Sequence, residues 1–205
     1  KNFLSKISDV VNQLTDNTLI SLDVSSPVIT NKVTRTMPSG YVSNLNSDMT
    51  FDSFVEGKSN QLAKAACLSV VNEPGAFNPL YIYGGVGMGK THLLNAIGFE
   101  LKKKKKVMFI PAERFMYQFI KSIKANDMVK FKEYFRNTDI LLIDDIQFMN
   151  GKEAMQEEFF HTFNALLEKG SQIIVSADRS PNKLSRIQER IKSRFSGGLV
   201  VDIQK

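Results

Sequence analysis

Long apolar runs are missing from this sequence. No stretch approaches the roughly 20 residues of a membrane span, and the N-terminus lacks the apolar core of a secretory signal. Cysteine occurs once, at Cys67. A lone thiol excludes an internal disulfide framework, suits a reducing cytoplasm and reads as a small buried hydrophobe on a helix. No internal repeat is present. The chain starts at Lys1 without Met, as a piece of a longer protein would.

What is present is the composition of a soluble globular protein, with 42% hydrophobic and 23% charged residues in a 205-residue chain, enough for one domain with a buried core. Net charge is +6. Lys1, Lys6, Lys32 and Arg35 cancel Asp9, Asp16, Asp23 and Asp48, so the surplus lies downstream, where it suits phosphate-bearing partners.

Up to residue 49 the chain is rich in Ser, Thr, Asn, Val and Asp, with Pro27 and Pro38 and no sustained helical period. A short helix around Phe3 to Leu14 is the exception, and the rest reads as a linker or the frayed end of a preceding domain. The character changes at Thr50. Ser59 is placed to cap a helix from about Asn60 to Asn72. Short apolar strands are expected at Tyr81 onward, Val107 to Pro111, Asp139 to Asp145, Gln172 to Ser176 and Leu199 to Ile203. Helices are expected at Glu113 to Lys124, Met128 to Arg136, Lys152 to Lys169 and Lys183 to Phe195. Continuous apolar strands alternating with helices imply an α/β fold with a parallel sheet covered on both faces. Lys102 to Lys106, five consecutive lysines, read as a solvated helix end before a loop rather than a nucleic-acid grip.

The segment YIYGGVGMGKTHLL carries the chemistry. Gly84, Gly89, Lys90 and Thr91 fit GxxxxGK[ST], the P-loop pattern, between strand and helix. Gly85, Gly87 and Gly89 let backbone N–H groups curl around phosphate oxygens. Lys90 supplies charge for the outer phosphates, and the Thr91 hydroxyl is a hard ligand for Mg²⁺. The run ILLIDD matches a Walker B strand, so Asp144 would share Mg²⁺ with Thr91 while Asp145 orients or deprotonates the attacking water. Asp178 ends another strand, where a polar side chain senses phosphate or simply serves the turn before Pro181. Arg190 and Arg194 share one helix face.

Together, GGVGMGKTHLLNAIG, ILLIDDIQF, QEEFFHTFNALLEKG and RIKSRFSGGL resemble the DnaA family of bacterial chromosomal replication initiators, over roughly Thr50 to Lys205. The resemblance implies a P-loop NTPase of AAA+ type with a five-stranded parallel sheet sandwiched by helices, preceded by a poorly ordered linker at 1–49. It places Gly87, Gly89, Lys90 and Thr91 on nucleotide contacts, an adenine-side segment near Phe54, Asp178 at sensor 1 and Arg194 at the arginine finger. His92 goes with the nucleotide set by position, although His92 and His161 both read as structural. A helical insertion, here ERFMYQFIKSIKANDMVKFKEYFRN, would touch single-stranded DNA through Ile120 and Lys152, with Lys121, Lys124 and Arg136 adding charge. Phe115, Phe119, Phe131 and Phe135 in it read as core. Ala154 stands where relatives often carry Arg, which weakens that DNA contact.

The resemblance further implies ATP and Mg²⁺ as cofactors, weak ATPase activity used as a switch, homo-oligomers, origin DNA, and contacts with the replicative helicase and acidic phospholipids. A lid and a duplex-reading domain would follow Lys205. Two other readings stay open: a helicase loader or initiator-regulator of the same ATPase class, and a small-molecule kinase or metabolic NTPase.

Overall fold

The computed structural model describes residues 45–204. The expected helix at Phe3 to Leu14 and nearly all of the 1–49 segment lie outside the described residues. Residues 45–49 are packed onto the domain: the Asn46 N–H donates to Asn95 Oδ1 at 2.8 Å, and the Leu45 side chain lies against Gly98. Ordered packing therefore begins before the change of composition at Thr50.

Five strands, β1 (Leu80–Gly84), β2 (Val107–Pro111), β3 (Ile140–Asp144), β4 (Gln172–Ala177) and β5 (Leu199–Ile203), form one parallel sheet in the order β2-β3-β4-β1-β5. Side chains alternate between its faces. Leu80, Ile82, Ile140, Leu142 and Ile174 face α1 (Gln61–Asn72) and α2 (Lys90–Leu101). Tyr81, Leu141, Ile143, Ile173 and Val175 face the opposite core, built from α3 (Ala112–Lys124), α4 (Met128–Arg136), α5 (Glu153–Lys169) and α6 (Glu189–Ser196). All five β3 side chains are buried, each aliphatic one worth roughly 1.5–3 kcal/mol. This double burial is why the strands read as unbroken apolar runs.

Phe115, Phe119, Phe131 and Phe135 are buried, with ring centroids 4.8 Å apart for Phe115–Phe135 and 4.7 Å for Phe131–Phe135. They zip α3 to α4 and, through Phe115 and Phe159, to α5. Cys67 is fully buried in α1, and burial pushes its thiol pKa far up. Lys102 and Lys103 sit exposed over the Phe99 ring, 4.0 and 5.9 Å from its centroid. No helix among the described residues is long and apolar enough to cross a membrane.

Two local expectations need correction. Ser59 caps nothing: Asn60 stands at the N-cap of α1, and its side chain closes the preceding turn through Gly57 N–H and Val55 O. The helix expected from Lys183 begins only at Glu189. Leu184 and Ile187 are buried from an irregular segment in which Arg186 has a φ of 51°. That backbone is held from outside, since Gln156 Nε2 and Gly151 N–H both donate to Arg186 O and Gln188 N–H donates to Gln156 Oε1. Tertiary hydrogen bonds override the local helical period there.

Candidate nucleotide site and DNA-facing surface

The parallel register brings the ends of β1, β3 and β4 to one edge, the usual ligand side of such sheets. The loop after β1 requires glycine. Gly87 and Gly89 have φ of 78° and 91°, and a Cβ on Gly89 would lie 2.8 Å from the Phe54 ring. Gly89 caps α2, and the first main-chain N–H in α2 to find a helical acceptor is that of Leu93, on Gly89 O. The N–H groups of the preceding turn and the helix dipole face an incoming anion.

Lys90 Nζ donates to Gly84 O and Gly85 O at 2.8 Å each, and its side chain is nearly buried. Its partners are carbonyls, with no carboxylate among the ion pairs of the described residues. A desolvated ammonium satisfied only by dipoles is a strong attractor for phosphate. His92 turns elsewhere: Nε2 lies 2.7 Å from Thr50 O, and its ring packs edge-on against Phe54 at 5.3 Å. The imidazole thus braces residues 50–54 against α2, in keeping with the structural reading, so that only the main-chain N–H of His92 would remain for a nucleotide.

At the end of β3, Thr91 Oγ1 donates to Asp144 Oδ2 at 2.7 Å, while Ser176 Oγ donates to Asp144 Oδ1. The same Ser176 oxygen accepts the Asp145 N–H at 2.9 Å. Ser176 was not singled out from the sequence, because a serine inside an apolar strand has no motif. Its partners lie 32 and 31 residues away and meet it only through β3–β4 pairing. Asp145 adopts a left-handed conformation, φ 56° and ψ 57°, at the start of the 3-10 turn Ile146–Met149. Gln147 on that turn donates from Nε2 to Asp145 Oδ1 at 2.9 Å and accepts the Asp178 N–H at 3.3 Å. The Asp178 carboxylate is held by its neighbour Arg179 at 2.9 and 2.6 Å, so this strand end presents an ion pair.

Burial raises the Asp144 pKa, outweighing the two hydroxyl donors that lower it. The folded chain therefore keeps this proton to higher pH than the unfolded chain. Its contribution to stability falls as pH climbs through the interval between the unfolded and folded values. One hydroxyl and one carboxylate, with no cluster of three acidic, His or Cys ligands among the described residues, suit Mg²⁺, which takes its remaining oxygens from water and phosphate. Asp144→Asn is expected to leave the nucleotide-free fold at least as stable, because a buried charge goes, while removing Mg²⁺-dependent tightening of ATP binding. Thermal melts with and without Mg²⁺ and ATP check this, and a marked loss of Tm in the free protein would count against it.

Arg194 is exposed on α6, and its side chain makes no hydrogen bond or ion pair among the described residues, in contrast to Arg190 and Lys192. Arg190 pairs with Glu157, donates to Gln188 Oε1 at 2.7 Å and covers the Phe160 ring at 4.5 Å. Lys192 pairs with Glu189. Arg190 thus serves the domain itself, whereas the exposed Arg194 side chain pairs with nothing among the described residues.

On α3, Tyr117, Ile120, Lys121, Ile123 and Lys124 are exposed while Phe115, Gln118, Phe119 and Ser122 face inward. The exposed set is apolar and basic. Lys152, half-buried, stands at the N-cap of α5, just beyond the 3-10 turn that packs against α3. Arg136 is half-buried and turns toward the core: with Lys132 it flanks the buried Glu158, at 3.6 and 3.3 Å. Its charge serves the α4–α5 contact rather than the outer face. His161 is exposed and bonded to Glu157 within its own helix.

The family model of the bacterial DnaA ATPase domain matches residues 45–202. Domain III of the Thermotoga maritima replication initiation protein DnaA is 48% identical, with a TM-score of 0.76 over 78% of this chain and 68% of that one. A replication initiator DnaA bound to AMPPCP and single-stranded DNA is 40% identical, with a TM-score of 0.77 over 78% and 51%. AMPPCP-bound DnaA from Aquifex aeolicus is 41% identical, with a TM-score of 0.76 over 78% and 51%. The chain thus spans about half the length of these last two proteins. The DnaC helicase loader, at 18% identity and a TM-score of 0.67, shares the fold alone. With the phosphate loop, the paired β3 carboxylates and a family match across nearly all of the described fold, the chain belongs to the bacterial DnaA ATPase-domain family.

Proposed function

We propose that this chain is the ATP-reading part of a replication initiator that assembles on origin DNA when ATP is bound and is reset by hydrolysis. One observation carries the reading: a single sheet supports both a phosphate loop backed by the Thr91–Asp144 pair and, on its other face, α3 with an outward apolar and basic surface. The relatives bound to AMPPCP, one of them also to single-stranded DNA, support the same pairing of ligands.

Thr91 and Asp144 would hold Mg²⁺, which neutralises charge on the phosphates during transfer. The glycine loop and the first turn of α2 bind the phosphate chain through main-chain N–H groups. Lys90 leaves the Gly84 and Gly85 carbonyls for the outer phosphates. Asp145 orients the attacking water and accepts its proton. Asp178 with Arg179 lies beside this end and would sense the outer phosphate. The Arg194 side chain has no partner among the described residues and would complete the site of a neighbouring copy, so ATP would count through contacts that ADP cannot make. The replicative helicase and acidic phospholipids belong to the same proposal as partners of the whole protein.

Single-strand binding is tested on α3 and at the start of α5. Ile120→Ala and Lys152→Ala in the whole protein are each expected to weaken retention of single-stranded DNA by about 3- to 10-fold, as loss of one apolar or phosphate contact does, while sparing duplex binding. Fluorescence anisotropy with both DNA forms measures it. Equal loss on both forms would refute the assignment of α3.

A further inference from the structure

We infer that Gln147 is a positioning residue that sets the Asp145 carboxylate for hydrolysis by tying the end of β3 to the end of β4; this rests on the ATPase reading above. One carboxamide meets both strand ends, with Nε2 on Asp145 Oδ1 at 2.9 Å and Oε1 on the Asp178 N–H at 3.3 Å. The amide fits only this way round, because a carboxylate only accepts and a main-chain N–H only donates.

Its reach onto Asp145 matters because of what already holds that residue. The Asp145 main chain is fixed in the left-handed region, with its N–H on Ser176 Oγ. Ser176 also carries the bond to Asp144, so the backbone of the candidate base moves with the candidate metal ligand. What that leaves free is rotation of the Asp145 side chain, which is only partly buried. The bond from Gln147 removes that rotation. A general base gains from such restraint through orientation, since a misplaced carboxylate loses rate without losing substrate affinity. Gln147 does not point at the phosphate loop: both of its polar atoms are engaged at the ends of β3 and β4. Its contribution therefore falls on turnover and not on nucleotide binding.

Two variants in the whole protein separate positioning from bracing. Gln147→Leu removes both bonds. Gln147→Glu keeps an acceptor for the Asp178 N–H but loses the donor to Asp145. Both are expected to lower kcat by about 10-fold or more, with KM for ATP and the affinity for a fluorescent ATP analogue within about twofold of wild type. A wild-type kcat in Gln147→Glu would reduce the residue to a brace for Asp178 and overturn the inference, as would an unchanged kcat in Gln147→Leu. A KM that rises in step with the fall in kcat would also overturn it, since Gln147 would then be shaping the nucleotide pocket. Absence of hydrolysis by the wild-type protein under conditions where it binds ATP overturns the ATPase reading itself; an active wild type with unaltered variants overturns only the role of Gln147.

Discussion

Lys90→Ala is expected to weaken ATP binding by about 100-fold or more, equivalent to about 2.7 kcal/mol. The side chain is nearly buried, and its ammonium rests on the Gly84 and Gly85 carbonyls. A charge held that way forms no ion pair among the described residues, so phosphate oxygens would replace dipoles with full negative charges. Each charge-assisted hydrogen bond contributes roughly 1.5–3 kcal/mol, and Lys90 can reach two phosphates. The fold should tolerate the change, because Ala is a good helix former at the first position of α2. Lys90→Gln keeps a donor without the charge and should fall between wild type and Ala. Titration calorimetry with ATP measures all three, and an unchanged affinity in Lys90→Ala would remove the phosphate-loop assignment.

Arg194→Ala in the whole protein is expected to leave ATP affinity within about twofold while abolishing ATP-dependent oligomers and lowering assembled turnover by about 10³-fold, the usual scale for a trans-acting arginine. The argument is one of partners. Glu157, Gln188 and Phe160 engage Arg190, Glu189 engages Lys192, and the Arg194 guanidinium is exposed one turn further on. A side chain with no partner among the described residues can be removed at little local cost, so folding and binding should persist. Arg194→Lys should fail nearly as badly, since an ammonium lacks the planar fork that spans two phosphate oxygens. Sedimentation with ATP against ADP reads the outcome. Oligomers that persist with ATP in Arg194→Ala would rule out its role between copies.

Much of this could be read from sequence because it is local. The strands Val107–Pro111 and Leu199–Ile203 and the helix Met128–Arg136 fall where apolar runs and helical spacing put them. The phosphate loop and the β3 carboxylates were legible for the same reason: each is a short string with one backbone geometry. The α3 side chains split between core and surface as their period requires, with the phenylalanines inward and Ile120, Lys121 and Lys124 outward.

Sequence alone therefore determined the fold class, the place of the glycine-rich loop between strand and helix, the aspartates at the end of β3 and the identity of the aromatic core. Tertiary structure decided which equivalent-looking residues do different work. It gave Arg190 to Glu157 and left the Arg194 side chain without a partner among the described residues, turned Arg136 toward Glu158 and His92 toward Thr50, and kept residues 184–188 out of helix. It also brought Ser176 to Asp145 and Gln147 to the Asp178 N–H, contacts made by strand pairing across about thirty residues of chain. A hydroxyl or a carboxamide carries no signature of its own, since it accepts so many partners that its neighbours in the chain do not name the one it takes. The loop and its carboxylates are written locally, whereas the bonds from Ser176 to Asp144 and Asp145 and from the Asp178 N–H to Gln147 exist only once the sheet has closed.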